Sequence, residues 1–216
     1  MNESTHSELS ESVTTPSVAN SVAILKPPVT VQQWGELDGW PRYDLVDGVL
    51  KEKPDVALWH EWLLMDLAAL LHTYIKKHGL GHIVTSKAKL KISAFGGREP
   101  DIFFIPNALY HLVGKNLFKG VPPLVVEILS PSNEAEDRVA KRAEYAQLGV
   151  AVYWIVDFPN RAIEILALRD RAGGSREYEL VETVRGDTIF RPAMFPGLEI
   201  PLAEVWPTEF ENRTDD

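Results

Sequence analysis

The run Leu124-Val125-Val126-Glu127-Ile128-Leu129 constrains this chain more than any other segment. Pro122-Pro123 precede it and Ser130-Pro131 close it, and its near-continuous branched apolar content reads as a central strand covered on both faces. Glu127 is its only charged residue. Side chains alternate along a strand, so Val125, Glu127 and Leu129 share one face while Leu124, Val126 and Ile128 share the other. A second β-type run, Arg98 to Pro106, has proline at either end of its apolar stretch, where strands tolerate it, and places Asp101 at the strand's beginning. Acids are almost never fully buried without a partner.

Two carboxylates on neighbouring strands repel each other, which raises a pKa or calls for a cation between them. Oxygen-only ligation suits a hard divalent ion such as magnesium, which keeps several waters and accepts a phosphate oxygen. A turn cap at Asp101 and a basic neighbour for Glu127 would answer the same pattern, and the acids alone do not choose between the two.

Downstream, Ser132-Asn133 can cap a helix that opens with Glu134, Glu136 and Asp137 and stops at Gly149. Asp137, Lys141 and Tyr145 are spaced by four residues and share a face of it. If that face looks back across the strand ends, Lys141 brings its ammonium to the acids. On spacing alone the simpler reading is a solvated Asp137–Lys141 pair worth about 0.3–0.5 kcal/mol.

Around these segments the expected order is regular. Thr30 caps a short helix through Leu37, Tyr43 to Lys51 forms a strand with a turn at Asp47-Gly48, and a long helix spans about 56–78. Strands follow at about 81–92, 100–105 and 123–129, then a helix at 134–148 and a strand at 152–157. Arg161 to Leu168 and Arg176 to Val184 read as an antiparallel hairpin, with short edges at 188–191 and 198–200. Such an order implies an α/β domain with a mixed sheet and helices on its faces. Tyr153 and Trp154, being adjacent, point to opposite faces and read as core residues.

With 216 residues, 45% of them hydrophobic, the chain has enough for one core, read here as residues 27–208. Residues 1–26, rich in Ser, Thr, Glu and Asn, and residues 209–216 are expected to be loose tails. Cysteine is absent, which rules out disulfides and thiolate metal sites and fits a cytoplasmic location. No apolar run reaches the ~18 residues of a membrane span. Neither a nucleophile elbow around Ser130 nor a phosphate-binding glycine loop is present.

A net charge of −9 argues against a general DNA-binding surface. Locally, however, Lys87, Lys89 and Lys91 alternate along the strand expected at 81–92, with Arg98 beyond it, a candidate phosphate-contacting stripe. A solvated face protecting a strand edge accounts for the same lysines.

The series Arg98-Glu99-Pro100-Asp101-Ile102, Pro122 to Ser132, Asp137, Lys141, Tyr145, Gly149-Val150 and Tyr153 to Asp157, with Tyr43 to Gly48 upstream, resembles the Uma-two group of restriction-endonuclease-like proteins. That group lies within the PD-(D/E)XK nuclease superfamily. The resemblance spans about residues 28–205 and implies a restriction-endonuclease-like core and metal-dependent hydrolysis of DNA phosphodiester bonds. Asp101 and Glu127 would hold magnesium or manganese, joined by the backbone carbonyl of Ile128. The superfamily pattern asks for lysine two residues after the second acid, where this chain has Leu129; the resemblance therefore favours Lys141 as the catalytic lysine, supplied from the helix. Asp44 stands where the family usually shows glutamate. It joins His60, Glu61 and Tyr145 as a candidate supporting residue. DNA is the implied partner, with a homodimer to cut two strands. The missing strand lysine, the acidic charge and Asp44 speak for a different reading, a catalytically silent module that binds nucleic acid or protein.

Overall fold

The computed structural model describes residues 25–39, 41–85, 87–130 and 134–208. Nearly all of the expected N-terminal tail, the whole C-terminal tail and the expected Ser132-Asn133 cap lie outside these residues.

The chain opens with helix α1 (Val31–Glu36), where Thr30 and Gln33 form a reciprocal capping box. Strands β1 (Tyr43–Val46) and β2 (Val49–Glu52) make a hairpin across Asp47-Gly48, followed by the long helix α2 (Leu58–Lys77). Then come β3 (Gly81–Thr85), β4 (Lys89–Lys91), β5 (Gly97–Arg98), β6 (Ile102–Pro106), a 3₁₀ turn at Asn107–Leu112, β7 (Leu117–Phe118) and β8 (Leu124–Ile128). A π-helical turn, Glu136–Lys141, runs into helix α3 (Arg142–Leu148). The chain continues through β9 (Val152–Asp157), β10 (Ala162–Asp170), β11 (Arg176–Arg185), β12 (Ile189–Phe190), β13 (Ile200–Pro201) and the short helix α4 (Leu202–Val205).

The main sheet has six strands in the order β11-β10-β9-β8-β6-β3. All its neighbours are antiparallel except β8 and β9, so the sheet is mixed, and β10–β11 is its C-terminal antiparallel hairpin. On one face Leu124, Val126 and Ile128 of β8 pack with Leu63, Leu67 and Leu71 of α2 and with the C-terminal elements. On the other, Val125 and Leu129 pack with Tyr145 and Ala146 of α3 and with Leu90 and Phe118. Both faces of β8 are thus covered, as its unbroken apolar run demands. Tyr153 lies in the second layer and Trp154 in the first.

A smaller sheet, β2-β1-β5-β4-β7, lies over the second layer and is closed by a cluster around Trp34, Leu45 and Leu117. Here Gly97 is a packing requirement, because a Cβ at that position would lie 2.3 Å from the Trp34 ring. Gly149, with φ 100°, gives α3 its left-handed stop.

Two expectations need correction. The segment 81–92 is not one strand: β3 ends at Thr85, Lys87 turns the chain with φ 77°, and β4 joins the other sheet. The helix expected over 134–148 is π-helical through Glu136–Lys141, a widening that occurs in helices mostly as a single turn and frequently at functional sites.

Candidate active site

The β6–β8 register pairs Ile102 with Val126 and Phe103 with Val125, so Asp101, one step earlier, falls opposite Glu127 on the face that α3 covers. Asp101 is anchored from two sides. Its Oδ2 accepts the backbone N–H of Ile128 at 2.8 Å and lies 3.3 Å from His60 Nε2 on α2. Glu127 is 1% exposed; its Oε1 accepts the Tyr145 hydroxyl at 2.6 Å, and its Oε2 meets the Lys141 ammonium at 2.9 Å. The same ammonium lies 2.6 Å from Asp137 Oδ1. Lys141 and Tyr145 therefore converge on one strand acid, with Asp137 on the far side of the same ammonium, and Lys141 is buried at 5% exposure instead of solvated.

Electrostatics follow from this crowding. Burial pushes the Glu127 carboxyl up to about 7, helped by the charges of Asp101 and Asp137 and opposed by Lys141. Burial would raise Asp101 as well, but the His60 hydrogen bond and the Lys141 charge prevail and hold it at about 2. Asp137 is raised by burial despite its ammonium partner. Lys141 and His60 both rise, because burial is outweighed by the carboxylates around them. Three acids thus face one buried ammonium, with His60 at the edge.

The space between Arg42, Lys53, His60, Glu61, Asp101, Glu127, Ile128, Asp137 and Lys141 amounts to roughly 20 Å³. That is the scale of one water or one ion. Among the described residues no group of three or more His, Asp or Glu side chains is arranged to hold a metal ion. A cation in this cleft must therefore draw on one or two carboxylates, backbone oxygen and water, which is the way magnesium is held. Carboxylate oxygens carry two lone pairs each, so Glu127 keeps acceptor capacity beside Tyr145 and Lys141.

Other sequence candidates are placed differently. Asp44 is buried on β1, its Oδ2 accepting Arg98 Nη1 at 3.0 Å and its Oδ1 the Glu99 backbone N–H at 3.1 Å. Glu61 is exposed, with Oε1 3.8 Å from His60 Nδ1. Leu129, at the usual lysine position, packs into the apolar layer.

The lysine stripe does not exist as a strand face. Lys87 is an exposed turn residue, Lys91 is half-buried on β4, and Lys89 is buried with its ammonium donating to the carbonyls of Trp34, at 2.9 Å, and Leu37. Arg98 is also removed from any DNA surface: it is 1% exposed, forked onto Glu144 at 2.6 and 2.7 Å, and paired with Glu136 at 2.8 Å. It ties β5 to Asp44 and to the helical segment that carries Lys141.

Two residues that sequence reasoning passed over line the cleft, Arg42 and Lys53. Lys53 donates to the Glu99 carbonyl at 2.6 Å and acts electrostatically on Asp101, Glu127 and Asp137. Nothing but the proline after it marked Lys53 in the sequence.

Mixed sheet, covering helices and a cleft of acids with a lysine define a restriction-endonuclease-like protein. The family model described as "Putative restriction endonuclease", Uma2, matches residues 30–203, and the chain belongs to that family. Membership places it among nuclease-like proteins. A crystal structure described as "a putative nuclease belonging to DUF820", from Anabaena variabilis, is similar in fold, with a TM-score of 0.66 at 15% identity over 83% of this chain and 98% of that one. Among curated proteins no significant match is found. No helix among the described residues is long and apolar enough to cross a membrane.

Proposed function

We propose that this chain is a divalent-metal-dependent endonuclease acting on DNA. The observation that carries the reading is the meeting of Asp101, Glu127 and Lys141 in one small buried cleft on the fold of a nuclease-like family. Asp101 and Glu127 would hold magnesium or manganese, with the Ile128 carbonyl as a further ligand. When bound, the ion supplies Lewis-acid polarisation of the phosphate and a water of lowered pKa.

The chain's own groups do the rest. The Lys141 ammonium, ion-paired with Glu127 and Asp137, orients the attacking water and meets charge developing on the phosphate. His60 and the Ile128 N–H fix Asp101, while Tyr145 fixes Glu127, so neither acid must reorganise during the reaction. Lys53, on the cleft wall, offers a second cation to the phosphate. A homodimer that presents two such clefts to a duplex is part of the proposal, checked by sedimentation equilibrium.

The test compares wild type with identically prepared Lys141→Ala and Glu127→Gln, each shown to be folded by circular dichroism, on supercoiled and linear DNA with magnesium or manganese. Wild type should nick or cut and both variants should not. Equal activity in the three preparations overturns the reading. Retention of DNA without cleavage supports the silent binding module instead.

A further inference from the structure

Helix α2 carries apolar side chains on two faces, and the core accounts for one of them. Leu63, Leu67, Leu71 and Ile75 are fully buried in the layer shared with the main sheet. On the opposite face Leu58, Trp62 and Met65 are 69%, 50% and 66% exposed, and the exposed Ala69 and His72 continue the same stripe. These residues succeed one another in alternating steps of four and three, the spacing of a seam onto which a second helix packs. Large apolar side chains scattered singly over a surface need no explanation, whereas a contiguous row marks an interaction site.

The charges around the stripe say what docks there. Asp55 just before the helix, with Glu61 and Asp66 on it, makes the first half acidic, and no lysine or arginine lies between Leu58 and Asp66. Lys76 and Lys77 make the last turn basic, and no acid lies between Leu67 and Lys77. All five of these charged residues are exposed. The complement of such a face is an antiparallel helix whose acidic half meets the lysines and whose basic end meets the acids, so that the two helix dipoles also oppose. A second copy of α2 has that pattern. Laid parallel, the same two helices would set acid on acid and lysine on lysine.

We infer that α2 is the self-association face of this chain, two copies packing stripe on stripe and antiparallel about a two-fold axis. The inference deepens the homodimer of the nuclease reading and rests on that reading for its purpose; the chemistry of the face does not depend on cleavage. With the helices opposed over their whole length, the two Glu61 positions fall about 20 Å apart along the helix axes, at 1.5 Å per residue. Glu61 flanks the stripe and lines the acid cleft. A two-fold axis perpendicular to the helices keeps that flank on the same side of both copies. Both clefts then border one side of the pair, where a single duplex can reach them.

The test is sedimentation equilibrium of the full chain in chelator, without nucleic acid. Wild type should be dimeric at micromolar concentration, and Trp62→Glu and Met65→Glu should each raise the dimer dissociation constant about tenfold or more, because each sets an unpaired charge in the seam. Glu61→Lys and Lys76→Glu should each weaken the dimer, and the variant carrying both should recover most of the wild-type affinity. All these positions are exposed; circular dichroism and thermal unfolding check that each variant is folded, and the charge swap carries the test if an apolar variant misfolds. A wild type that stays monomeric, or a dimer indifferent to every single substitution, overturns the inference. A charge-swapped variant no tighter than its two parents overturns the antiparallel arrangement. A dimer that depends on the stripe in a protein that never nicks DNA upholds the face and refutes the nuclease reading; a protein that cuts DNA while its dimer ignores the stripe does the reverse.

Discussion

Replacing Lys141 with methionine keeps the apolar stem and removes the charge, so it isolates what the ammonium does for the cleft. The ammonium lies 2.9 Å from Glu127 and 2.6 Å from Asp137, both carboxylates nearly fully buried. At an effective dielectric constant of about 20, each contact is a gross attraction of about 6 kcal/mol, most of it offset by desolvation of the three groups. Removing one partner from a buried pair costs about 3–5 kcal/mol, a large part of the roughly 5–15 kcal/mol that holds a domain folded. The loss depends on pH, and the sign is set by Glu127. Its folded pKa of about 7 stands above the ordinary 4.5, so the folded state favours the protonated form. Stability from that proton is fully present below 4.5 and is lost as pH rises through about 7. Without Lys141, Glu127 and Asp137 both move further up, which widens the window of loss. The variant should therefore lose about 3–5 kcal/mol at pH 8 but no more than about 1–2 kcal/mol at pH 5, where both acids can hold protons in the folded state. Urea unfolding followed by tryptophan fluorescence at the two pH values measures this. Magnesium at a hundredfold excess over its dissociation constant should restore about 2.7 kcal/mol at pH 8, the cation replacing the ammonium. A variant as stable as wild type at pH 8, or a loss of the same size at both pH values, would refute the reasoning.

Calorimetry with manganese should show a tight site that disappears in the Asp101→Asn, Glu127→Gln double variant; unchanged binding places the ion elsewhere. Because Glu127 must lose a proton to become a ligand, metal affinity should fall about tenfold per pH unit below about 7 and level off above it, and a flat profile from pH 5 to 8 would remove Glu127 from the ligand set. Arg98→Lys keeps the charge but loses the fork onto Glu144, so it should lower stability by about 1.5–3 kcal/mol in urea titrations and weaken cleavage; full activity with a lowered midpoint would separate Arg98 from the cleft. Lys89→Met should cost about 1–3 kcal/mol while leaving the salt dependence of DNA binding unchanged, and a shallower salt slope would return Lys89 to the DNA surface.

Strand alternation, a local rule, placed Glu127 on one face of its strand and Asp101 at the start of another, but that the two strands are neighbours came from the family resemblance, because pairing is not local. Covering of β8 on both faces was legible from its unbroken apolar run. The lysine stripe misled because alternation says nothing about where a strand ends. Lys87 breaks the run with a positive φ, and Lys89 leaves for another sheet, where three backbone carbonyls at the end of α1 surround its ammonium. Arg98 misled differently. Its partners Asp44, Glu136 and Glu144 are distant in sequence, so nothing local distinguishes a buried arginine from an exposed one. Strands β5 and β7, two residues each, are too short for any periodic signal.

That buried arginine bears on how a lysine carried by a helix is held over a strand acid. A lysine two residues after Glu127 would inherit its position from the strand, and no further device would be needed to aim it. Lys141 sits instead at the end of a π-helical turn, and its place over Glu127 depends on how that turn is docked on the sheets. Apolar packing of Tyr145 and Ala146 fixes the depth of docking but tolerates sliding. Directional bonds resist sliding, and here they come from Arg98, which reaches Asp44 on β1 with one nitrogen and Glu136 and Glu144 with the others, bracketing Lys141 from both sides in sequence. Asp44 closes the frame by also holding the Glu99 backbone N–H, two residues before Asp101. One polar frame thus references the helix lysine and the first strand acid to the same residue. Asp44 and Arg98 thus bear on the cleft through position, as a clamp that fixes the helical segment carrying Lys141 to the strands.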